Sequence, residues 1–253
     1  EGEEILLKGN IKFDKMDFTY PETGIKALQD INLEIKAGEK WAIMGRTGSG
    51  KTTFAELILG MYYPSLGSLC IEGIKIQDMK LSSLRKQIGY IPQDVFLFSD
   101  TIYNNIRFGN SEISDRDAEE AAKQASIYDE IMDFPQGFKT AVGERGVTLS
   151  GGQKQRISIA RALAMNPKIL VFDDALSAVD VHTEKRIIEN LNEHIEDKTV
   201  IVISHRIFSS LKFDQIIILN DGQVLEQGTH EELLSAGKIY NEFYEKQNFE
   251  QVK

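Results

Sequence analysis

The sequence predicts an α/β fold: a core with a parallel sheet, an N-terminal antiparallel β part and a helical part set into the chain. Three observations carry that expectation. Continuous apolar runs at Lys40–Met44, Lys168–Phe172 and Thr199–Ser204 lack alternation, as strands buried on both faces require. Between the last two, Thr183–Ile195 places Ile187, Ile188, Leu191 and Ile195 at helical spacing, which is the grammar of a βαβ unit. Ahead of them all, period-two alternation points to half-exposed antiparallel strands.

Taken in order, Ile11, Phe13, Met16, Phe18 and Tyr20 read as β, ended by Pro21-Glu22-Thr23-Gly24. Ile31–Ile35 alternates strictly and turns at Ala37-Gly38. The run at Lys40–Met44 feeds a glycine-rich loop and a helix from about Thr52 to Leu59. The middle, about Ser114–Ala164, lacks convincing strands and holds helical stretches such as Asp115–Ala125. The tail, Thr229–Gln247, opens with Thr229 and Glu232 spaced as a capping box and is expected to be helical. Trp41 is most simply core, and His182, His194 and His230 read as surface residues.

The chain has 253 residues, with 29 Lys+Arg against 39 Asp+Glu and a formal net charge of −10. Hydrophobic residues at 42% and charged residues at 27% exclude wholesale disorder. The acidic balance argues against a nucleic-acid or anionic-membrane binder, which needs a basic field. A local anion site built from backbone amides stays open. The single cysteine, Cys70, excludes an internal disulfide and a multi-cysteine metal cluster and fits a reducing compartment. Glu1-Gly2-Glu3-Glu4 has neither the basic start nor the apolar stretch of a signal peptide. The longest apolar runs, such as Val200–Ile203 and Ile216–Leu219, fall far short of the about 20 residues a spanning helix needs. The expectation is a soluble domain, or one excised from something larger. It is a single domain over 1–253, with a core at about 1–93 and 165–253 and a helical part at about 94–164.

Gly45-Arg46-Thr47-Gly48-Ser49-Gly50-Lys51-Thr52 fits G-x-x-x-x-G-K-[ST] in full, after an apolar strand and opening a helix. Glycines let the backbone curl so that successive N–H groups face phosphate oxygens, and the helix N-terminus adds a favourable dipole. Lys51 is expected to reach the β/γ-phosphates and the Thr52 hydroxyl to ligate Mg²⁺, with Thr53 grouped beside them. Ile169–Phe172 followed by Asp173-Asp174 places Asp173 at the C-terminal edge of a strand, where a carboxylate would hold Mg²⁺ through water. This is the expectation of a P-loop NTPase core. Leu149-Ser150-Gly151-Gly152-Gln153 heads a helical run, so a hydroxyl and amides at a helix N-terminus form a second anion site without any basic residue. His205 follows the last of the three strands, at the end where open α/β sheets bind ligands.

With these motifs in this order, the chain resembles the nucleotide-binding domain of ATP-binding cassette (ABC) transporters over essentially its whole length, and looks closest to the exporter type. The resemblance implies ATP and Mg²⁺ as ligands and a helical subdomain carrying the signature Ser150, Gly151, Gly152 and Gln153, which binds the γ-phosphate of nucleotide held by an opposite domain. It implies that Tyr20 stacks on adenine and that Gln93 senses Mg²⁺ and the γ-phosphate. Asp173 then holds Mg²⁺, Asp180 belongs to the loop crossing between sites, in Ser177-Ala178-Val179-Asp180, and His205 contacts the γ-phosphate. It further implies a second nucleotide-binding domain as partner, and a transmembrane domain reached through Phe96-Leu97-Phe98 and through the Glu144 region, Thr140–Gly146. Its place would be the cytoplasmic face of a membrane, with no nucleic acid involved. Ala141 departs from the glutamate common at that position.

The larger departure is Asp174, where the family usually has the glutamate that polarises the attacking water. Aspartate draws the carboxylate back by about 1.5 Å, one carbon–carbon bond. A misplacement near 1 Å costs about 10²-fold in rate. The same replacement resembles the degenerate-site subunit of heterodimeric exporters, and a slow homodimer is the alternative. Two other readings stay open on the residues alone: a soluble ABC ATPase without a transport role, and a weakly hydrolysing ATP-operated clamp.

Overall fold

The structure is a computed structural model describing residues 2–110, 112–143, 148–176, 179–192, 194–207 and 211–251. In chain order it runs β1 (Ile11–Thr19), β2 (Lys26–Ile35), β3 (Lys40–Gly45), α1 (Lys51–Ile58), β4 (Leu66–Ile71), β5 (Ile74–Lys75) and α2 (Leu81–Arg85). There follow β6 (Ile88–Ile91), α3 (Ile102–Ile106), α4 (Asp115–Gln124), α5 (Tyr128–Met132), α6 (Gly151–Ala164), β7 (Ile169–Asp173) and α7 (Val181–Asn192). The chain closes with β8 (Thr199–Ser204), β9 (Gln215–Asn220), β10 (Gln223–Gly228), α8 (His230–Ala236) and α9 (Ile239–Gln251). It divides into two compact units, Glu1–Arg85 with Lys198–Lys253, and Lys86–Asp197. Among the described residues no helix is long and apolar enough to cross a membrane.

The first unit holds the antiparallel sheet β2-β1-β4-β5. Its alternation is as expected at Ile11 and Phe13, but Lys15 and Asp30 adopt positive φ (45° and 49°) where the register of β1 against its neighbours shifts. These bulges let Met16 and Phe18 return to the buried face. The same unit carries β3 parallel to both β8 and β9, with β10 antiparallel to β9. Trp41 is core, at 2% exposure. From α1, Phe54 stacks on Phe13 of β1 at 4.4 Å, so the helix after the glycine loop is seated on the antiparallel sheet. The capping box at Thr229 forms as expected, yet the tail is two helices, because Gly237 turns left-handed (φ 61°) and ends α8. His230 is a further correction: it is half-buried, its Nδ1 2.7 Å from the Tyr240 hydroxyl, so it is no simple surface residue.

The second unit pairs β6 with β7 in parallel, Ile91 opposite Phe172. Among its described residues the stretch from Gln93 to Ala164 contains no strand, only a bridge between Thr101 and Ala141. Its helices bury Ile102, Ile106, Ala118, Ala121, Ile157 and Ala160.

One carboxylate ties the N-terminal segment down. In the turn after β4, Glu72 Oε1 accepts from the amides of Lys8, Gly9 and Asn10 at 2.7, 2.6 and 3.0 Å, and its Oε2 accepts from Asn10 Nδ2 at 2.9 Å. Burial pushes this carboxyl up, but the Asn10 side chain and the three amides outweigh it and hold its pKa below the ordinary 4.5. A depressed folded-state pKa contributes stability that is whole above 4.5 and is lost as pH falls through the folded value. Glu72→Gln should therefore lower the thermal midpoint at neutral pH by a few degrees, from about 1–2 kcal/mol of charge-assisted bonding. Melting curves of the two proteins should draw together as the pH falls below 4.5 and converge once it has passed the folded-state value, where the contribution has titrated away.

Candidate functional site

The glycine loop is built around a buried ammonium. β3 ends at Gly45, where a Cβ would stand 2.2 Å from the Leu219 carbonyl oxygen, its partner on β9. Only glycine lets the chain leave the sheet here. Lys51, 7% exposed, folds its Nζ back to donate to the carbonyls of Gly45 (2.8 Å) and Arg46 (2.9 Å), closing the loop into a ring. Gly50 sits at φ 101°, and a Cβ there would meet the Ala27 carbonyl at 2.6 Å and Leu28 Cδ2 at 2.8 Å. The buried Ser49 hydroxyl has no hydrogen-bond partner, which costs about 1–3 kcal/mol unless a ligand supplies one. Arg46, Thr47, Gly48 and Thr52 are exposed, and the first turn of α1 carries no acid. An orphaned hydroxyl, a lysine and an unopposed helix N-terminus fit a polyphosphate.

Two more expected residues lie in the same unit. Because β8 runs parallel to β3 with Ser204 opposite Met44, exposed His205 emerges at the strand edge where the loop begins. Tyr20 is half-buried, its hydroxyl 2.8 Å from Thr53 Oγ1 and donating to Glu56 Oε2 at 3.2 Å, with ring edges on Phe18 and Tyr62. Burial raises its pKa. Thr53 thus meets Tyr20 from the buried face of α1.

In the second unit Gln93 is exposed just beyond β6, and buried Asp173 ends β7 beside it. The Tyr90 hydroxyl donates to Asp173 Oδ2 at 3.2 Å, a partner that sequence reading passed over. Asp174 is half-buried at φ 48°, a left-handed conformation that aspartate adopts more readily than most residues. Among the described residues no three His, Cys, Asp or Glu form a metal-binding group. A single carboxylate such as Asp173 is in keeping with Mg²⁺, since that ion takes one or two carboxylates and keeps its other positions for water and phosphate.

The signature opens α6. Ser150 Oγ accepts from the Gln153 amide (3.2 Å) while Gln153 Oε1 accepts from the Ser150 amide (2.9 Å), a complete capping box. The Ser150 hydroxyl proton remains available for an outside acceptor. A Cβ on exposed Gly151 would meet nothing within 4 Å, and Gly152 is half-buried. Behind them Arg156 grips Glu130 through two nitrogens (2.5 and 3.0 Å), and Glu130 also accepts from Gln153 Nε2 at 3.1 Å. This brace was not read from the sequence. Asp180 is exposed and caps α7, accepting from the Thr183 amide at 3.0 Å; that bond with the Thr183 side chain holds its carboxyl below the usual range. Ser177, Ala178 and the Glu144–Gly146 stretch lie outside the described residues.

The Phe96–Phe98 segment is split by the fold. Leu97 is fully buried, Phe96 is 54% exposed, and half-buried Phe98 stacks on Phe108 at 4.0 Å. Fully buried Asn105 shapes the loop, accepting from the Phe98 amide and donating to the Phe98 and Thr101 carbonyls. Arg161 lies over the Phe98 and Phe108 rings and donates to the Phe96 and Asn105 carbonyls. Burial lowers its guanidinium pKa to about 10.

The chain resembles known proteins over nearly its whole length. The family model described as ABC transporter matches residues 28–177, more than half of the chain. A Bacillus subtilis protein named as a probable multidrug resistance ABC transporter ATP-binding/permease protein, YheI, is 45% identical over 94% of this chain and 41% of its own length. The mitochondrial iron-sulfur clusters transporter ABCB7 of Oryzias latipes is 41% identical over 94% of this chain and 32% of its own. The solved structure of a bacterial Atm1-family ABC exporter with ATP bound superposes with TM-score 0.92 at 39% identity, covering 97% of this chain and 43% of that one. This chain therefore spans about two fifths or less of the length of these relatives. The family match over residues 28–177 and these relatives establish that the chain belongs to the ABC transporter family, as an ATP-binding and ATP-hydrolysing domain.

Proposed function

We propose that this domain powers export across a membrane, closing head-to-tail with a second nucleotide-binding domain around two ATP molecules and reopening after hydrolysis. The observation that carries the reading is the likeness, over nearly the whole chain, to ATP-binding/permease proteins and to an ABC exporter. A soluble ABC ATPase is disfavoured by the same likeness, and nucleic acid by the net charge of −10.

In this reading the amides of residues 45–52 and the Lys51 ammonium hold the β- and γ-phosphates, and the Ser49 hydroxyl gains the partner it lacks. Tyr20 meets the adenine. Ser150 donates its hydroxyl proton, and Gly151 its amide, to the γ-phosphate of the opposite domain's nucleotide. Thr52, Gln93 and Asp173 hold Mg²⁺, which when bound neutralises phosphate charge. Asp174 orients the attacking water and takes its proton, and His205 steadies the γ-phosphate. Asp180 lies at the crossing between the two sites. Catalysis of this kind is positioning and charge neutralisation.

Phe96, Phe98 and Phe108 form the apolar surface that receives a coupling helix of the transmembrane part, on the cytoplasmic side, with the Glu144 region as a second contact. The shortened acid at 174 makes this chain the degenerate-site half of a heterodimer, whose intact signature completes the competent site of its partner.

Gly50→Ala should weaken Mg²⁺-ATP binding at least tenfold in titration calorimetry, since a Cβ at φ 101° against the Ala27 carbonyl costs about 1–3 kcal/mol. Unchanged affinity would remove the loop from the site. Asp174→Glu should raise ATP turnover of the assembled transporter, by up to about 10²-fold at this site, because the longer acid recovers the lost reach. Equal or lower turnover in the reconstituted pair would show that Asp174 is no impairment.

A further inference from the structure

The C-terminal helix α9 is fastened to the rest of its unit at three places along its length. At its start, the buried Glu226 of β10 accepts from the first amides, Ile239 at 2.8 Å and Tyr240 at 3.3 Å. In its body, fully buried Tyr240 packs with Ala42 and Met44 of β3 and Ile216 and Ile218 of β9, and its hydroxyl meets His230. Toward its end, Gln247 takes hold of the backbone of Ile207 from both sides. Its Oε1 accepts from the Ile207 amide at 2.7 Å and its Nε2 donates to the Ile207 carbonyl at 2.7 Å.

Ile207 is two residues beyond His205. The segment leaves β8 through a bond from the Arg206 amide to Ser204 Oγ at 2.9 Å. Ile207 packs partly against the cluster of Ala42, Met44 and Tyr240, and a cavity of about 340 Å³ lies beside it, lined by Arg206, Ile207, Met44, Phe213 and Tyr240 among others. Packing on that side is incomplete, and the backbone there gains a paired donor and acceptor from one side chain on an anchored helix. Tyr240, Phe243 and Gln247 are three and four residues apart, on one face, so the core contact and the grip are set by one helix register.

We infer that Gln247 is a positioning residue for His205, holding the segment after β8 so that the imidazole stands where the γ-phosphate binds. The inference rests on the reading of His205 as a γ-phosphate contact. It makes α9 part of the hydrolytic apparatus.

The test uses the full-length transporter assembled with its partner half in a bilayer, measuring Mg²⁺-ATP hydrolysis against ATP concentration for Gln247→Ala, Gln247→Glu, His205→Ala and the Gln247→Ala/His205→Ala double variant. Gln247→Ala should lower kcat about five- to tenfold, with KM within about twofold and the thermal midpoint within about 2 °C. Gln247→Glu keeps the acceptor for the Ile207 amide and loses the donor, so its kcat should fall between wild type and Gln247→Ala. The double variant should lose no more than His205→Ala alone, as residues acting through one another do. A normal kcat in Gln247→Ala beside an impaired His205→Ala overturns the inference and leaves the reading of His205 standing. An unimpaired His205→Ala overturns both. Additive losses, or a change in KM and midpoint in place of kcat, assign Gln247 to folding alone and overturn the inference. If Gln247→Ala does not assemble, Gln247→Glu decides by the same criteria.

Discussion

The two hydrogen bonds that Lys51 donates to the carbonyls of Gly45 and Arg46 set the shape of everything around the phosphate site. A buried cation needs acceptors, and here they are main-chain oxygens of the loop itself, so the loop closes around its own charge. Holding that ring demands glycine at 45, where β3 leaves the sheet, and at 50, where α1 begins. It also demands that β3 be flanked on both sides, by β8 and β9, since the loop leans on Leu219. The chain carries a net charge of −10, yet no acid stands in the first turn of α1. Positive character is supplied locally, by amides and one ammonium.

Motifs whose geometry is local were legible in the residues. The glycine loop needs only its own glycines and lysine, and the cap of α6 only Ser150 and Gln153, so the loop after β3 and the helix after Ser150 form where the sequence implied. The three apolar strands were equally plain, because burial on two faces leaves no polar residue to confuse the pattern. β4 was not read: Gly67 and exposed Leu66 obscure its alternation, and Leu66–Ile71 is a strand because β1, 49 to 60 residues upstream in the ladder from Asp17 opposite Leu66 to Ile11 opposite Ile71, pairs with it. The tail reads as one helix until Gly237 is seen in a left-handed conformation. His230 looked superficial since its partner, Tyr240, belongs to the next helix. Leu97 sits between two phenylalanines of the same hydrophobicity, and only the loop wrapped on Asn105 separates the buried one from the exposed.

A common device explains most of what was missed. Glu72, Glu226 and Gln247 each use one side chain to satisfy backbone groups of another segment, and Asn105 does the same for its own loop. Such bonds carry no periodicity and no motif, because the partner groups belong to every residue type. They are also economical: a carboxylate or amide offers several acceptors or donors in a fixed plane, so one residue fixes the path of several others. Arg156 and Glu130 brace the signature helix in the same manner, with side chain against side chain.

The Glu72 bracket has a mechanical meaning as well. Three amides in a row and one side-chain amide converge on a single carboxylate, so a pull along residues 8–10 loads all four bonds together, in shear. That tension enters the turn after β4 and passes into β1 and β4, the strands of the antiparallel sheet. The phosphate ring hangs from a different set of strands. Force arriving through residues 8–10 is thus taken up by the sheet on which Phe13 seats Phe54 of α1.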